Sequence, residues 1–326
     1  MSRPSTASRS LDPDPPSGAE QPGPRLAEWD EVLSALLKLT PHKQTRVFEG
    51  WPGVSGQTPE GLNVSARTAK ELRRFTNQKD AQMLEWIGSF GAGDVFYDIG
   101  ANVGGVTLTV AGIHANRIPI VAIEPSFGSF ESLARNLSLN GLLGTTIPLQ
   151  IALLDQTGLQ SLNYRSTAAG TSLHAVGAAV DHLGQDFIPV EVQLIPTYRL
   201  DDLIELMSLP QPTVVKIDVD GYEEPVLRGA VRVLTAGTIR ELNVEIVDHD
   251  RAATRLQAVT VLLEGCGYEL VRTFPHARVD SRVADYLFRR SESSADLRLA
   301  SRSAAEATPR SDQPLIDHEA DGADPQ

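Results

Sequence analysis

The run Val95-Phe96-Tyr97-Asp98-Ile99-Gly100-Ala101-Asn102-Val103-Gly104 limits what this chain can fold into more than any other. A short apolar stretch ends in an acid. A glycine-bearing turn follows at once, then a helix-like segment, Val106 to Ala111. Strand, glycine turn and helix form the opening unit of a doubly wound α/β sheet. Gly100 has no Cβ, so the backbone turns sharply there and a ligand can approach it closely. A helix starting near Gly104 aims its free N–H groups over the turn.

Two ligand classes compete for such a turn. A dinucleotide pyrophosphate calls for G-x-G-x-x-G, but the run here is D-x-G-x-x-x-G. An acid just before the turn repels phosphate and suits a cation or a hydroxyl. S-adenosylmethionine carries an ammonium, a sulfonium and ribose hydroxyls, and no phosphate, so Asp98 tips the balance toward it. The next apolar run, Ile118 to Ile123, is interrupted only by Pro119 and ends in Glu124-Pro125. An acid at the end of a second strand, about 20 residues past the turn, is placed to accept both ribose hydroxyls.

Along the chain, residues 1–25 are rich in Pro, Ser, Gly and Asp and read as a disordered tail. Residues 26–79 read as an N-terminal helical arm. In it Leu26, Trp29, Val32, Leu33, Leu36 and Leu37 share one face, and 45–65 is irregular. Residues 80–290 form the main domain. Ala69 to Phe90 reads as one helix that crosses into it, Phe127 to Leu139 as a helix and Thr146 to Leu154 as the third strand. From Leu159 to Val192 the texture changes to short strands or a hairpin inserted beside the nucleoside site. Val214 to Asp220 is a fourth strand ending in acids, and Glu223 to Leu234 a helix. Ile239 to Val247 is a strand and Ala252 to Leu263 a helix. Tyr268 to Thr273 and Asp285 to Arg290 lack a helix between them and pair antiparallel. Residues 291–326 read as a disordered acidic tail.

The expected fold is therefore α/β: a Rossmann-like open sheet, mostly parallel, with a final antiparallel strand and helices on both faces. Ligands bind such sheets outside the carboxyl ends of the strands, where Asp98, Glu124, Asp218 and Asp220 converge.

Composition narrows the function. The net charge of -13 over 326 residues argues against a nucleic-acid partner held by general basicity. The single cysteine, Cys266, excludes an internal disulfide and reads as a structural thiol. No run is apolar enough to span a membrane, and Met1 to Ser5 leads into no apolar segment of a secretory signal. The expectation is a cytoplasmic enzyme without a membrane partner; oligomeric state is open.

The motifs together resemble the FkbM family of S-adenosylmethionine-dependent methyltransferases. The resemblance rests on Phe96 to Gly104, Ala122-Ile123-Glu124-Pro125, Asn136 with Asn140, Ile151-Ala152-Leu153 before Gly158, and Lys216-Ile217-Asp218-Val219-Asp220-Gly221. The sequence departs from the family pattern at Asp220, where Glu is expected, and at Tyr222. The resemblance implies a class I methyltransferase fold of seven strands. It also implies methyl transfer, commonly to an oxygen of a small molecule, sugar or natural product.

With strand-end geometry, it implies that Asp98, Gly100, Asn102 and Gly104 surround the methionine end of the cofactor. Glu124 takes the ribose, with Pro125 beside it, and Ala152 and Leu153 flank the adenine. Asp218 is the first candidate near the transferred methyl, and Lys216 shares its strand face and can pair with it. Glu223 either reaches the site or favours a helix start. His249, flanked by Asp248 and Asp250, is a candidate acid-base group, with His174 in the insertion of similar standing. Three adjacent residues rarely converge on one ion, so no metal is expected. The competing readings are a non-catalytic nucleoside-binding scaffold, an NAD-dependent oxidoreductase lacking its glycine fingerprint, and a nucleic-acid methyltransferase.

Overall fold

The computed structural model describes residues 54–76, 81–181, 184–247, 252–275 and 283–291. The amphipathic stretch Leu26 to Leu39, both expected tails and His249 lie outside the described residues.

An antiparallel hairpin comes first, β1 (Val54–Gln57) and β2 (Asn63–Ala66). It replaces the irregular arm read from the sequence. Its pairing partners explain why: Asn136 and Asn140, one helical turn apart, lie against the β2 edge. Asn140 Oδ1 accepts from Asn63 N at 2.8 Å and Asn136 Oδ1 from Ser65 N at 2.8 Å. The side-chain amides return the bond to the Asn63 and Ser65 carbonyls. These two family-like asparagines thus extend a strand.

The segment read as one helix, Ala69 to Phe90, is described as α1 (Ala69–Thr76) and α2 (Ala81–Gly88). Thr68 Oγ1 accepts from Glu71 N and the Glu71 carboxylate accepts from Arg67 N, an arrangement close to a capping box at the start of α1.

The alternation then runs β3 (Phe96–Ile99), α3 (Gly105–Ile113), β4 (Ile120–Ile123), α4 (Phe127–Leu139) and β5 (Thr146–Leu149). The expected third strand ends early. Pro148 removes a ladder donor, and β5 is accordingly an edge strand. Ala152–Leu153 instead forms β6 of a second sheet, with β7 (Gly158–Tyr164), β8 (Ala175–Val176) and β9 (Glu191–Tyr198). This four-stranded sheet, ordered β6-β9-β7-β8, is the insertion.

After α5 (Leu200–Leu206) and β10 (Val214–Ile217), the helix expected over Glu223 to Leu234 is two, α6 (Glu223–Arg228) and α7 (Val231–Ala236). The break lies at Gly229, where an added Cβ would stand 2.0 Å from the Leu154 carbonyl oxygen. The buried Asp201 carboxylate then accepts the first-turn N–H groups of Arg232 at 3.0 Å and Val233 at 2.9 Å. A capping acid supplied by another helix restarts the helix. The chain continues through β11 (Glu241–Val247), α8 (Ala252–Gly265), β12 (Tyr268–Pro275) and β13 (Val283–Arg290). Cys266, buried, follows α8.

The main sheet has seven strands in the order β12-β13-β11-β10-β3-β4-β5, and β13 alone runs against the direction of the other six. Both faces are covered. Phe96, Ala122 and Val214 pack toward Trp86, Phe90, Leu108 and Leu133. Tyr97, Ile99, Val121 and Ile217 pack toward Leu203, Leu227, Leu234 and Leu263 on the other face. The fold is the expected α/β open sheet with its final antiparallel strand. Among the described residues no helix is long and apolar enough to cross a membrane.

Candidate functional site

The strand order reverses between β3 and β10, and a cavity opens at their carboxyl ends. Gly100 and Ala101 both donate to the Ile123 carbonyl at 2.9 Å, and Asp218 N donates to Ile99 O at 2.9 Å. Gly100 has φ +84°, and a Cβ there would sit 1.8 Å from the Asp218 carbonyl oxygen. The turn is pressed onto the end of β10 so closely that only glycine fits.

Gly100, Asn102, Glu124, Pro125, Ala152, Leu153 and Asp218 all line this one cavity. Asp98 and Gly104 do not. Asp98 is 1% exposed and its Oδ2 accepts from Thr107 Oγ1 at 2.6 Å, so its carboxylate turns toward α3. Gly104, with φ +92°, leaves room for Leu133, whose Cδ1 would lie 2.7 Å from an added Cβ. Its role is close packing of α3 on α4. Asn102 reaches the cavity, but its amide is already used: Nδ2 donates to Thr171 O at 3.1 Å and Oδ1 accepts from Val103 N at 2.9 Å. It ties the turn to the insertion. Glu223 stays out of the cavity and accepts from Gly221 N at 2.8 Å, a turn-stabilising role beside α6.

Glu124 is 6% exposed. Its two oxygens accept from Asn102 N at 2.9 Å and Ser126 N at 2.8 Å. Burial pushes its pKa to about 7 despite those two donors, with Asp220 and Asp218 adding to the rise. The apolar residues Ile151, Leu153 and Leu154 line the same cavity.

The far end of the cavity is acidic. Asp218 pairs with the buried Lys216 at 2.8 Å, as strand alternation implies. Burial opposes the Asp218 charge, but the ammonium wins and holds its carboxyl below the usual range. Asp220 differs. Burial, then the Asp218 charge, push it to about 6, and its backbone is in the left-handed region at φ +53°. Its Oδ2 accepts from Leu173 N at 2.6 Å; Leu173 is itself left-handed at φ +66°. Glu245 from β11 completes the group, raised well above the ordinary range by burial and by Asp218.

The insertion supplies the opposite wall. Tyr222 Oη donates to Val176 O at 2.9 Å and accepts from Val176 N at 2.8 Å. Asp220 and Tyr222, the two departures from the family pattern, are thus the two side chains that hold the strand-end loop against residues 173–176. His174 lines the cavity as well. Its Nδ1 faces the Arg165 N–H at 3.3 Å, which leaves the proton of the neutral ring on Nε2, and Nε2 is buried without a partner among the described residues. Burial, then the Lys70 charge, lower its pKa to about 4. The ring is therefore a neutral donor at pH 7.

Sequence reasoning missed Arg74 and Glu245 as lining residues. Glu245 had a signal, an acid inside the apolar run Val244-Glu245-Ile246. Arg74 had none, because its place depends on how α1 meets the insertion.

Comparison with known proteins agrees with this geometry. Residues 98–270 match the Methyltransferase FkbM domain. The hexuronic acid methyltransferase AglP of Haloferax volcanii is 32% identical over 141 residues, 43% of this chain and 52% of AglP, so the match spans about half that relative's length. The 31-O-demethyl-FK506 methyltransferase FkbM of Streptomyces tacrolimicus is 27% identical over 199 residues, 55% of this chain and 74% of that one. A crystal structure of methyltransferase FkbM from Methylobacillus flagellatus KT overlays with a TM-score of 0.44 at 15% identity, covering 68% of this chain and 53% of that one. That overlay is too loose to add to what the strand order gives. The domain match extends over more than half of the sequence, from the second half of β3 through β10 and β11, and the chain belongs to the FkbM methyltransferase family.

Proposed function

We propose that the chain is an S-adenosylmethionine-dependent methyltransferase acting on an oxygen of a small molecule or sugar. The observation that carries this reading is Glu124: a buried carboxylate at the end of β4, oriented by two backbone N–H groups, on the floor of the cavity with Gly100. The donor set suits a nucleoside without phosphates. Glu124 would receive ribose hydroxyls, Ile151, Ala152 and Leu153 would flank the base, and the Gly100 turn would admit the amino-acid end past a floor with no Cβ. The cofactor supplies an electrophilic methyl on a sulfonium. The names of the relatives, a hexuronic acid and a 31-O-demethyl-FK506 methyltransferase, support a small-molecule acceptor.

The chain's own residues divide the remaining work. Asp218, held charged by Lys216, is a poor proton acceptor and a good partner for an ammonium. Asp220, at about 6, has a proton affinity suited to taking a proton from an acceptor hydroxyl near neutral pH.

The test is calorimetric titration with S-adenosylmethionine, S-adenosylhomocysteine and NAD, on wild type and Glu124→Ala. Saturable binding of the first two only, lost in the variant, is expected. Unchanged binding in the variant would sink the ribose assignment, and binding of NAD alone would sink the cofactor.

A further inference from the structure

Four carboxylates crowd the cavity: Glu124, Asp218, Asp220 and Glu245. Among the described residues lining it, one carries a permanent positive charge, Arg74. Arg74 stands on α1, upstream of residues 98–270, so the matched family domain does not supply it. Its position is built. The insertion packs on α1 so tightly that a Cβ on Gly170 would lie 2.7 Å from the Lys70 carbonyl carbon. Arg74 Nε donates to the Gly170 carbonyl at 3.3 Å, which fixes the stem of the guanidinium. Its two terminal nitrogens have no hydrogen-bond partner among the described residues. The guanidinium is close enough to act on the charges of Asp218 and Asp220, yet forms no ion pair with either.

Two neighbours reinforce this corner. Lys70, one turn before Arg74, donates from Nζ to Thr171 Oγ1 at 3.1 Å and adds positive field behind the insertion loop. His174, on that loop, lines the same cavity, and its Nε2 is buried without a partner among the described residues. All three are donors, and the neutral His174 ring accepts only at Nδ1, which already has its partner.

A planar fork of free N–H groups with a second neutral donor close by is a carboxylate site, because the fork matches two carboxylate oxygens. Phosphate fits poorly: its larger charge would face four carboxylates. A singly charged carboxylate on a molecule that also carries an ammonium or hydroxyls matches the cavity at both ends.

We propose that Arg74, supported by Lys70 and His174, forms a carboxylate-binding subsite that the segment upstream of the family domain adds to the cavity. The inference rests on the cavity being the methyl-transfer site. Two carboxylates meet the chemistry: the one on the amino-acid end of the cofactor, and one on an acidic sugar acceptor.

The experiment separates them. Full-length wild type, Arg74→Gln and Arg74→Lys are titrated with two pairs of probes, with thermal midpoints recorded for each protein. S-adenosylhomocysteine is paired with 5′-methylthioadenosine, which keeps the nucleoside and lacks the amino-acid end. Glucuronate is paired with glucose, both added over saturating nucleoside wherever a nucleoside binds. Arg74→Gln is expected to weaken the charged member of one pair by about tenfold or more and leave its neutral partner within about twofold. Arg74→Lys, which keeps the charge but not the fork, should fall between, and it decides the matter if Arg74→Gln does not fold. A loss confined to S-adenosylhomocysteine assigns the subsite to the cofactor; a loss confined to glucuronate assigns it to the acceptor. Equal effects on charged and neutral members, or none on either pair, overturn the subsite. If neither nucleoside binds wild type, the cofactor reading fails, and the sugar pair alone supports or overturns the subsite.

Discussion

The two sheets of this molecule are held by different physics. In the main sheet, every residue of β3, β4 and β10 is buried, and each strand is pinned by side chains packed on both faces. In the insertion, β9 buries only Ile195 and Thr197, while Leu194 is 67% exposed and Leu159 on β7 is 65% exposed. The insertion has a smaller core, Ala152, Leu162, Tyr164 and Ile195, and is seated by the close contact of Gly170 with α1 together with a few hydrogen bonds: Tyr222 to the Val176 backbone, Asp220 to Leu173 N, and Asn102 to Thr171 O. The floor of the cavity is therefore set by close packing throughout, and its wall by a small core, one close backbone contact and polar clasps. On the proposed function, the rigid floor would hold the cofactor and the more loosely packed wall would meet the acceptor.

Two glycines with the same backbone sign give the sharpest contrast. Gly100→Ala puts a methyl 1.8 Å from a carbonyl oxygen at φ +84°. It should destabilise the fold by about 3 kcal/mol or more and remove measurable nucleoside binding. Gly177→Ala, at φ +79° with its nearest neighbour 3.9 Å away, meets only the left-handed strain. It should cost about 1 kcal/mol and leave nucleoside affinity intact. Urea unfolding with calorimetry on both variants measures the difference. Similar losses in the two would mean that the wall is as rigid as the floor.

This contrast also explains what the sequence could reveal. The floor is written locally. The run Phe96 to Gly104, the acid after Ile123 and the acids after Ile217 are strand-end patterns that carry their own geometry, and the cavity gathers Gly100, Glu124 and Asp218 from them. Long-range partners are not written that way. Nothing near Gly229 announces that Asp201 will cap a second helix. Nothing in residues 54–66 announces that Asn136 and Asn140 will pair with the edge of β2. Asp98 looked like a ligand-facing acid because it ends a strand, but the alternation of β3 turns it to the α3 side, where Thr107 waits. Arg74 was illegible because it reaches the cavity only through the contact of Gly170 with α1.

Core truncations test the same division with smaller effects. Ile217, 1% exposed and packed between β3 and β11, should lose about 2–5 kcal/mol as Ile217→Ala. Leu194→Ala, on the open face of β9, should change stability by no more than about 0.5 kcal/mol. Denaturant midpoints report both. A cost at Leu194 near that at Ile217 would show its exposed face to be covered in solution, and the two sheets would then not differ in kind.

The gentlest probe is pH, and it acts on the hinge of the comparison, where Glu124 on the floor faces acids that also hold the wall. Burial raises Glu124 to about 7, against 4.5 in the unfolded chain, with Asp220 and Asp218 contributing in the same direction. A carboxyl raised on folding binds more protons in the native state. Its stabilising contribution is thus full below the unfolded pKa and is lost as pH rises through the folded one. Asp220, at about 6, and Glu223, at about 7, share that sign. Asp218, held low, has the opposite sign, but its window lies at more acid pH; His174, lowered to about 4 by burial, opposes them up to its ordinary value of 6.5 and offsets only part of the three raised carboxyls. The thermal midpoint of the free protein should therefore fall between about pH 5 and pH 7.5. Nucleoside binding should move the other way, because ribose hydroxyls donate to the ionised carboxylate. Affinity for S-adenosylhomocysteine should rise about tenfold from pH 6 to pH 8, and that rise should flatten in Glu124→Gln. Opposite slopes in one pH window, both reduced by a single isosteric change, are hard to obtain from any group other than one that is buried at a cost and used for binding. An affinity that ignores pH in wild type would instead mean that Glu124 is a structural brace for the Asn102 and Ser126 backbone, and that the floor recognises its ligand by shape.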